Sequence, residues 1–346
     1  MSRLVDGYDL VVFDLDGVIY LIDKPIPGAA AAVERLRNDG TTVAYVTNNA
    51  SRRAAEVAAL LSGMGVPATA GEVLTSAGAS AVVLAERLPA GAPVLVVGAD
   101  ALRDEVGDAG LTPVERAEDS PAAVVQGYGP DVGWRILAEA ALAVRAGATW
   151  VATNTDRTLP SPRGPLPGNG SLVAVLRTAL NRDPDVVVGK PQPGLFTTAA
   201  SRSGARRPLT VGDRLDTDIE GAVRAGQDSL LVLTGVSGPA DLLAAPEQQR
   251  PTYVAADLSA LFGSPEAARI ATGAGDGAAA SSTGGQDAGR PGGWRLERDG
   301  SAVVLDGAGD PVDALRLLCP ATWGGAEPRA ASDAARKLVK EWGLPG

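Results

Sequence analysis

At 346 residues the chain is too long for one ordinary hydrophobic core, and with 45% hydrophobic residues it has the material for two or three domains. Its 31 Lys and Arg against 41 Asp and Glu leave a net charge of −10, which argues against nucleic acid or an anionic membrane as the main partner. No histidine occurs, which removes Ser-His-Asp hydrolysis, His-ligated zinc and imidazole acid–base chemistry together. The single Cys319 leaves neither an internal disulfide nor a Cys-Cys metal or redox pair, so a reducing cytoplasm is the expected compartment. Met1 to Asp9 carry no apolar signal core and no 18-residue uncharged apolar segment follows, so neither export nor a membrane span is expected.

The first third alternates apolar runs with alanine-rich helical stretches: Leu10–Phe13, Ala29–Asp39, Thr42–Thr47 and Ala54–Gly63. This βαβα order predicts a mostly parallel sheet, whose strands, buried on both faces, read as unbroken apolar runs. Open α/β sheets hold their ligands at the carboxyl ends of their strands. Functional residues are therefore expected just after the strands.

After Leu10–Phe13 come Asp14 and Asp16, two carboxylates that would point the same way while the chain stays extended, then a turn at Gly17. Like charges that close need a divalent cation or a shared proton. After the second strand come Thr47, Asn48 and Asn49, with Ser51 as a candidate cap for the next helix. Alone, these small polar residues are ordinary turn chemistry.

From about Ser76 to Asp185 a second alternating segment runs, with strands predicted at Pro93–Gly98, Ala123–Gly127 and Thr149–Thr153 and a helix at Val132–Ala146. Its longest irregular stretch, Asn154 to Asn169, holds four prolines with Asp156, Arg157 and Arg163, ahead of a helix starting near Ser171. Loops of that length inside compact domains are usually functional. The βαβ pattern resumes with strands at Asp185–Gly189, Leu209–Val211 and Leu230–Leu233 and helices through Leu195–Ser201 and Ile219–Ala225. Lys190 directly follows one strand end, and Asp213, Asp216 and Asp218 follow another. Taken singly, a lysine there is a solvated charge, and an acidic run at a helix start matches the helix dipole.

Between Ala271 and Gly293 no Val, Ile, Leu, Met or aromatic residue occurs, which predicts a flexible linker. About fifty residues remain, with a hairpin expected from Trp294–Glu297 and Ala302–Leu305 around Arg298-Asp299-Gly300-Ser301 and helices at Val312–Leu318 and Ala330–Trp342. So small a module should dock on the main body or on another subunit.

Together the four clusters resemble the four motifs of the haloacid dehalogenase (HAD) superfamily, over about residues 8 to 262. Val11-Val12-Phe13-Asp14-Leu15-Asp16-Gly17 is similar to the first motif and Val46-Thr47-Asn48-Asn49 to the second. Gly189-Lys190-Pro191 and Gly212-Asp213-Arg214-Leu215-Asp216-Thr217-Asp218 are similar to the third and fourth. The long insert after the second motif resembles members with a large α/β (C2-type) cap. Within these, Ala152-Thr153-Asn154-Thr155-Asp156 and Pro167-Gly168-Asn169-Gly170-Ser171-Leu172 resemble the p-nitrophenylphosphatase-like group, which includes phosphoglycolate, glycerol-phosphate and pyridoxal-phosphate phosphatases.

The resemblance implies an α/β fold: a Rossmann-like HAD core with a parallel sheet in residues 1–77 and 187–262, and an inserted α/β cap in 78–186. A linker in 263–293 and a small C-terminal α+β module in 294–346 complete the expected domain partition. It further implies Mg²⁺-dependent hydrolysis of a small phosphate monoester. Asp14 would be the nucleophile and Asp16 the general acid and base. Thr47, Asn48 and Lys190 would hold the phosphoryl oxygens. Mg²⁺ would take oxygens from Asp14, the Asp16 carbonyl and Asp213, with Asp218 orienting its waters or adding a ligand. By analogy Tyr128, Arg157, Thr158 and Leu159 of the cap would face the leaving group, and the aliphatic Leu159 suits a short organic phosphate such as glycerol 3-phosphate or 2-phosphoglycolate.

The alternatives are a larger phosphate ester, such as a nucleotide or pyridoxal phosphate, phosphoryl transfer to an acceptor other than water, and a non-catalytic binding module with the HAD fold. The cap and the C-terminal module offer surface for a homo-oligomer. Rival motifs fare poorly. An EF-hand begun at Asp14 would need a carboxylate where Pro25 stands, a P-loop would need its first glycine at Pro184, and Gly168-Asn169-Gly170 lacks the third glycine of a dinucleotide fingerprint. An acyltransferase reading of the C-terminal module has too few residues behind it.

Overall fold

The computed structural model describes residues 2–22, 24–271 and 293–344. The chain divides into two compact units, Leu10–Arg206 and Met1–Asp9 with Arg207–Gly346.

In the first unit, Leu10–Phe13 pairs in parallel with Thr42–Thr47 in the register Leu10 to Thr42 and Phe13 to Tyr45, and Thr42–Thr47 pairs in parallel with Val73–Thr75. Every residue of Leu10–Phe13 is buried, as its unbroken apolar run requires. Helices Ala29–Asn38 and Ala54–Gly63 make the crossovers. The second of them starts later than Ser51 would allow. Both the N–H and the hydroxyl of Ser51 donate to Asn49 Oδ1, so Ser51 closes a turn on Asn49, and Arg53 occupies the cap position.

A second, five-stranded parallel sheet follows in the same unit, in the order Val186–Val187, Thr149–Ala152, Ala123–Gln126, Pro93–Val97, Thr112–Val114. Alternation along Pro93–Val97 sends Val94 and Val96 to one face, against Leu102, Val106 and Val125, and Leu95 and Val97 to the other, against Leu137, Val144 and Trp150. The stretch expected to be wholly irregular contains a short antiparallel pair, Thr158–Leu159 with Leu166–Pro167, and the helix after it spans Asn169–Leu180.

In the second unit Pro208–Gly212, Asp228–Val232 and Tyr253–Ala255 form a parallel array. Residues 263–271, expected to open the linker, instead form the helical turn Pro265–Ala268 and a bridge from Arg269 to Tyr253, and Ile270 is buried. Residues 272–292 of the expected linker lie outside the described residues.

Trp294–Asp299 and Ala302–Gly307 make the expected hairpin, tightened to a turn at Gly300 and Ser301. A third strand, Glu327–Ala330, adds in parallel to Ala302–Gly307. Sequence reading missed it and assigned Ala330 to a helix that in fact begins at Asp333. Pro328 and the charged Glu327 and Arg329 hide the strand from an apolar-pattern search, and its place at the edge of the sheet tolerates them.

This three-stranded module docks within its unit. Leu305, Leu315, Leu318 and Leu338 share one buried cluster with Leu242, Leu243, Val254 and Ile270. Trp323 Nε1 donates to the Leu242 carbonyl at 2.9 Å, and the Arg250 guanidinium lies 5.0 Å from the Trp323 ring centroid. Among the described residues no helix is long and apolar enough to cross a membrane.

Candidate active site

Asp14 is buried at the carboxyl end of Leu10–Phe13, and Asp16 is half-buried two residues on. Gly17, at φ +85°, turns the chain, with its N–H donating to the Tyr20 carbonyl at 2.7 Å. The turn buries Tyr20. Burial, then the Asp16 and Asp14 charges, push its phenol well above the ordinary range, so it stays protonated.

Lys190, also buried, forms an ion pair with Asp14 Oδ1. Its ammonium and the Asp14 carboxylate, separated by 176 positions in sequence, each supply the charge that makes the other's burial tolerable. Thr47 is buried and its Oγ1 accepts from the Asn49 N–H at 3.1 Å.

Asn48, expected to hold a phosphoryl oxygen, has its side-chain amide engaged elsewhere. Its Oδ1 accepts from the Lys190 N–H at 2.8 Å, and its Nδ2 donates to the Lys190 carbonyl at 3.1 Å and lies 3.1 Å from each carboxylate oxygen of Asp156. The Asn48 carbonyl accepts from Ser76 Oγ and Asn154 Nδ2, both at 2.6 Å. Asn48 is thus a clamp on the Lys190 backbone. Gly189 makes the approach possible, because a Cβ there would stand 2.5 Å from both Asn48 Oδ1 and the Thr153 carbonyl.

Sequence reading assigned no role to Asp156, Asn154, Asn169, Ser76 or Gly189. Asn169 Nδ2 donates to the Asn154 carbonyl at 2.7 Å and to the Gln126 carbonyl at 3.2 Å, and the Asp156 N–H donates to Asn154 Oδ1 at 3.2 Å. The available signal was Asn154-Thr155-Asp156 just past the strand Thr149–Ala152, since buried polar side chains stand where partners meet them.

Of the residues expected to face a leaving group, Thr158 and Leu159 lie on the short antiparallel pair and Arg157 is exposed just before it. The Arg157 carbonyl accepts from Ser171 Oγ and the Gly168 N–H. Tyr128 is half-buried beyond the end of Ala123–Gln126.

In the other unit Asp213 and Asp218 are fully buried, with a carboxylate oxygen of each within 4.8 Å of the other's. Asp218 sits in the π-helical turn Leu215–Ile219, and its Oδ2 accepts from the N–H groups of Asp213 and Arg214 at 3.2 and 3.1 Å. Asp213 Oδ2 accepts from the Val236 N–H at 2.7 Å. Gly235 leaves the space, since a Cβ there would lie 1.9 Å from that oxygen. Two buried carboxylates so close to one another form a pair of oxygen donors suited to holding a cation. Their oxygens are hard donors that suit Mg²⁺ or Ca²⁺ rather than a soft metal.

Comparison with known proteins bears on this arrangement. Residues 11–112 match the family model of haloacid dehalogenase-like hydrolases and residues 187–261 a second, HAD-hydrolase-like model. Residues 291–344 match a GCN5-related N-acetyltransferase like domain, the acyltransferase kinship that the sequence alone supports with too few residues. The D-glycerol 3-phosphate phosphatase of Mycobacterium tuberculosis is 44% identical over 99% of this chain and 93% of its own length. The crystal structure of the glycerol phosphate phosphatase of that organism in complex with magnesium superposes over 100% of both chains with a TM-score of 0.88 and 43% identity. The 4-nitrophenylphosphatase of Thermotoga maritima covers 75% of this chain and 98% of its own, with a TM-score of 0.69 and 31% identity. The chain belongs to the haloacid dehalogenase-like hydrolases, in the group of capped phosphatases that the motifs at Asp14, Thr47, Lys190 and Asp213 resemble.

Proposed function

We propose that this chain is a Mg²⁺-dependent phosphatase that hydrolyses a small organic phosphate monoester, glycerol 3-phosphate above all, through an aspartyl-phosphate intermediate. The observation that carries the chemistry is the buried Asp14–Lys190 pair, a carboxylate nucleophile beside a cation fit to receive phosphoryl oxygens. The substrate rests on the relative named D-glycerol 3-phosphate phosphatase, which matches nearly the whole chain.

In the first step Asp14 attacks phosphorus and the ester oxygen departs with the bonding electrons, taking a proton from Asp16. In the second, water attacks the same phosphorus while Asp16 removes its proton, and the Asp14 carboxylate and inorganic phosphate are restored. Lys190 and Thr47 hold the phosphoryl oxygens. With its side chain occupied by Lys190 and Asp156, Asn48 contributes to phosphate binding through its main chain at most. Asp14, the Asp16 carbonyl and Asp213 are the proposed Mg²⁺ ligands, with Asp218 behind them, and the oxygen-only donor set fits that ion. When bound, the ion neutralises the phosphoryl charge. Phosphoryl transfer needs little more than this placement and charge neutralisation, which is why a chain without histidine can perform it.

Residues 78–186 act as the specificity cap, with Tyr128, Arg157, Thr158 and Leu159 toward the leaving group. Residence in a reducing cytoplasm and self-association through the cap or the C-terminal module complete the reading. The experiment is a panel of phosphate esters assayed on the full chain with Mg²⁺: glycerol 3-phosphate, 2-phosphoglycolate, pyridoxal phosphate and a nucleoside monophosphate. Glycerol 3-phosphate should give the highest kcat/KM and EDTA should abolish turnover. Release of phosphate from none of them would remove the proposal.

A further inference from the structure

Asp156 lies in a loop of the cap segment, yet its carboxylate meets Asn48 at the end of the strand Thr42–Thr47, 108 positions earlier in the chain. We infer that Asp156 is a positioning residue for phosphoryl transfer, acting through the Asn48 amide on Lys190. This inference rests on the phosphatase reading.

The chemistry of the three groups fixes the sense of the link. An ionised carboxylate only accepts, so Asp156 can face only the NH₂ end of the Asn48 amide. That leaves Asn48 Oδ1 aimed at the Lys190 N–H, at 2.8 Å, while Nδ2 also reaches the Lys190 carbonyl at 3.1 Å. Both main-chain groups of Lys190 are therefore gripped by an amide whose orientation Asp156 reinforces. The same lysine carries the ammonium paired with Asp14. A bond to a carboxylate outweighs one to a neutral acceptor, so Asp156 holds the amide more firmly than a neutral side chain would.

The other end of the link is equally well held. The Asp156 N–H donates to Asn154 Oδ1 at 3.2 Å and its carbonyl accepts from the Gly170 N–H at 2.8 Å. A Cβ at Gly168 would come within 2.5 Å of the Asp156 carbonyl, so the loop closes tightly around this residue. Arg157, Thr158 and Leu159 follow immediately, which ties the stretch proposed to read the leaving group to the lysine proposed to hold the phosphoryl group.

Removing the tether should affect every ester alike, because Lys190 meets the phosphoryl group and not the leaving group. In the full chain with Mg²⁺, Asp156→Ala should lower kcat/KM about 10- to 100-fold, by a common factor, for glycerol 3-phosphate and p-nitrophenyl phosphate. It should weaken competitive inhibition by inorganic phosphate in parallel. Asp156→Asn keeps one accepting oxygen and should restore activity to within about threefold of the parent. In an Asn48→Ala background Asp156→Ala should cost nothing more, because the two residues act as one unit.

A loss confined to one ester with phosphate inhibition unchanged would overturn the inference, as would additive losses in the double variant. Should Asp156→Ala not fold, Asp156→Asn carries the test, since its smaller defect must also vanish in the Asn48→Ala background. If the parent chain hydrolyses neither ester and binds no phosphate, the phosphatase reading fails by itself. The Asn48–Asp156 coupling then stays measurable as non-additivity in thermal unfolding, and additive shifts there would overturn it.

Discussion

The Asn48 side chain closes on both the N–H and the carbonyl of Lys190, at 2.8 and 3.1 Å, across 142 positions of sequence. A side-chain amide here does the work of a neighbouring strand, offering one acceptor and one donor to one main-chain unit. Losing either partner would leave a buried polar group unpaired, at a cost of about 1–3 kcal/mol. The lysine that pairs with Asp14 is thus fixed at its backbone as well as at its ammonium.

Replacing Asp14 by Asn should leave a folded protein whose hydrolysis of any phosphate ester falls by roughly three orders of magnitude or more, because a carboxamide does not form the acyl phosphate. The Lys190 ammonium would lose the carboxylate that shares its burial, so thermal unfolding should move down as well. Steady-state kinetics with a melting curve checks both, and near-normal turnover would refute the nucleophile assignment.

At Gly235 the added methyl of Gly235→Ala would stand 1.9 Å from Asp213 Oδ2, so the carboxylate must turn away. Displacing a ligand's support typically costs about 10- to 100-fold in metal affinity. Titrating activity with Mg²⁺ should show a higher half-saturating concentration for the variant, with activity returning at high Mg²⁺. An unchanged Mg²⁺ dependence would separate Asp213 from metal binding.

Leu159 pairs with Leu166 in the short antiparallel pair that follows Arg157 and is half-buried. Leu159→Asn should change the ratio of kcat/KM between glycerol 3-phosphate and a bulkier ester by about tenfold, with little change in unfolding, since one pocket contact is typically worth about 1–3 kcal/mol. Equal effects on all esters would take Leu159 out of the specificity loop.

Burial pushes the Cys319 thiol up to about 12. A thiol reagent at pH 8 should therefore label the native chain at least ~100-fold more slowly than the urea-unfolded chain, at a rate set by opening of the module. Removing residues after 271 should lower the melting temperature by several degrees, because Leu242, Leu243 and Ile270 lose the side chains that bury them. Fast labelling of native protein would show the module to be loosely docked.

Arg37 reaches Glu72 through both carboxylate oxygens, at 2.9 and 2.8 Å, and the Thr69 N–H donates to Glu72 Oε2 at 2.8 Å. Burial by itself would raise the Glu72 carboxyl, but the bonds from Arg37 and then Thr69 outweigh it and hold the group below its ordinary value. A depressed folded value means stability that is present above the unfolded pKa and lost as pH falls through the folded one. Glu72→Gln should cost about 1 kcal/mol at pH 7, and the gap to the parent should close in acid. A gap that stays constant with pH in urea titrations would contradict this origin.

The amino-acid order carries the alternation of strands and helices and the clusters at Asp14, Thr47, Lys190 and Asp213, because strand period, buried apolar runs and the polar residues that end them are local properties of the chain. It also carried the kinship with haloacid dehalogenase-like hydrolases, which the family matches bear out. Folding alone brings Asn48 onto Lys190 and Asp156 onto Asn48, and makes Gly189 and Gly235 spaces kept for other residues' oxygens. It likewise decided the edge strand Glu327–Ala330, whose pairing with Ala302–Gly307 outweighs its poor strand composition. The reason is common to all of these. A polar side chain's role depends on which partner stands beside it, and partners more than a hundred positions away leave no trace in the local pattern.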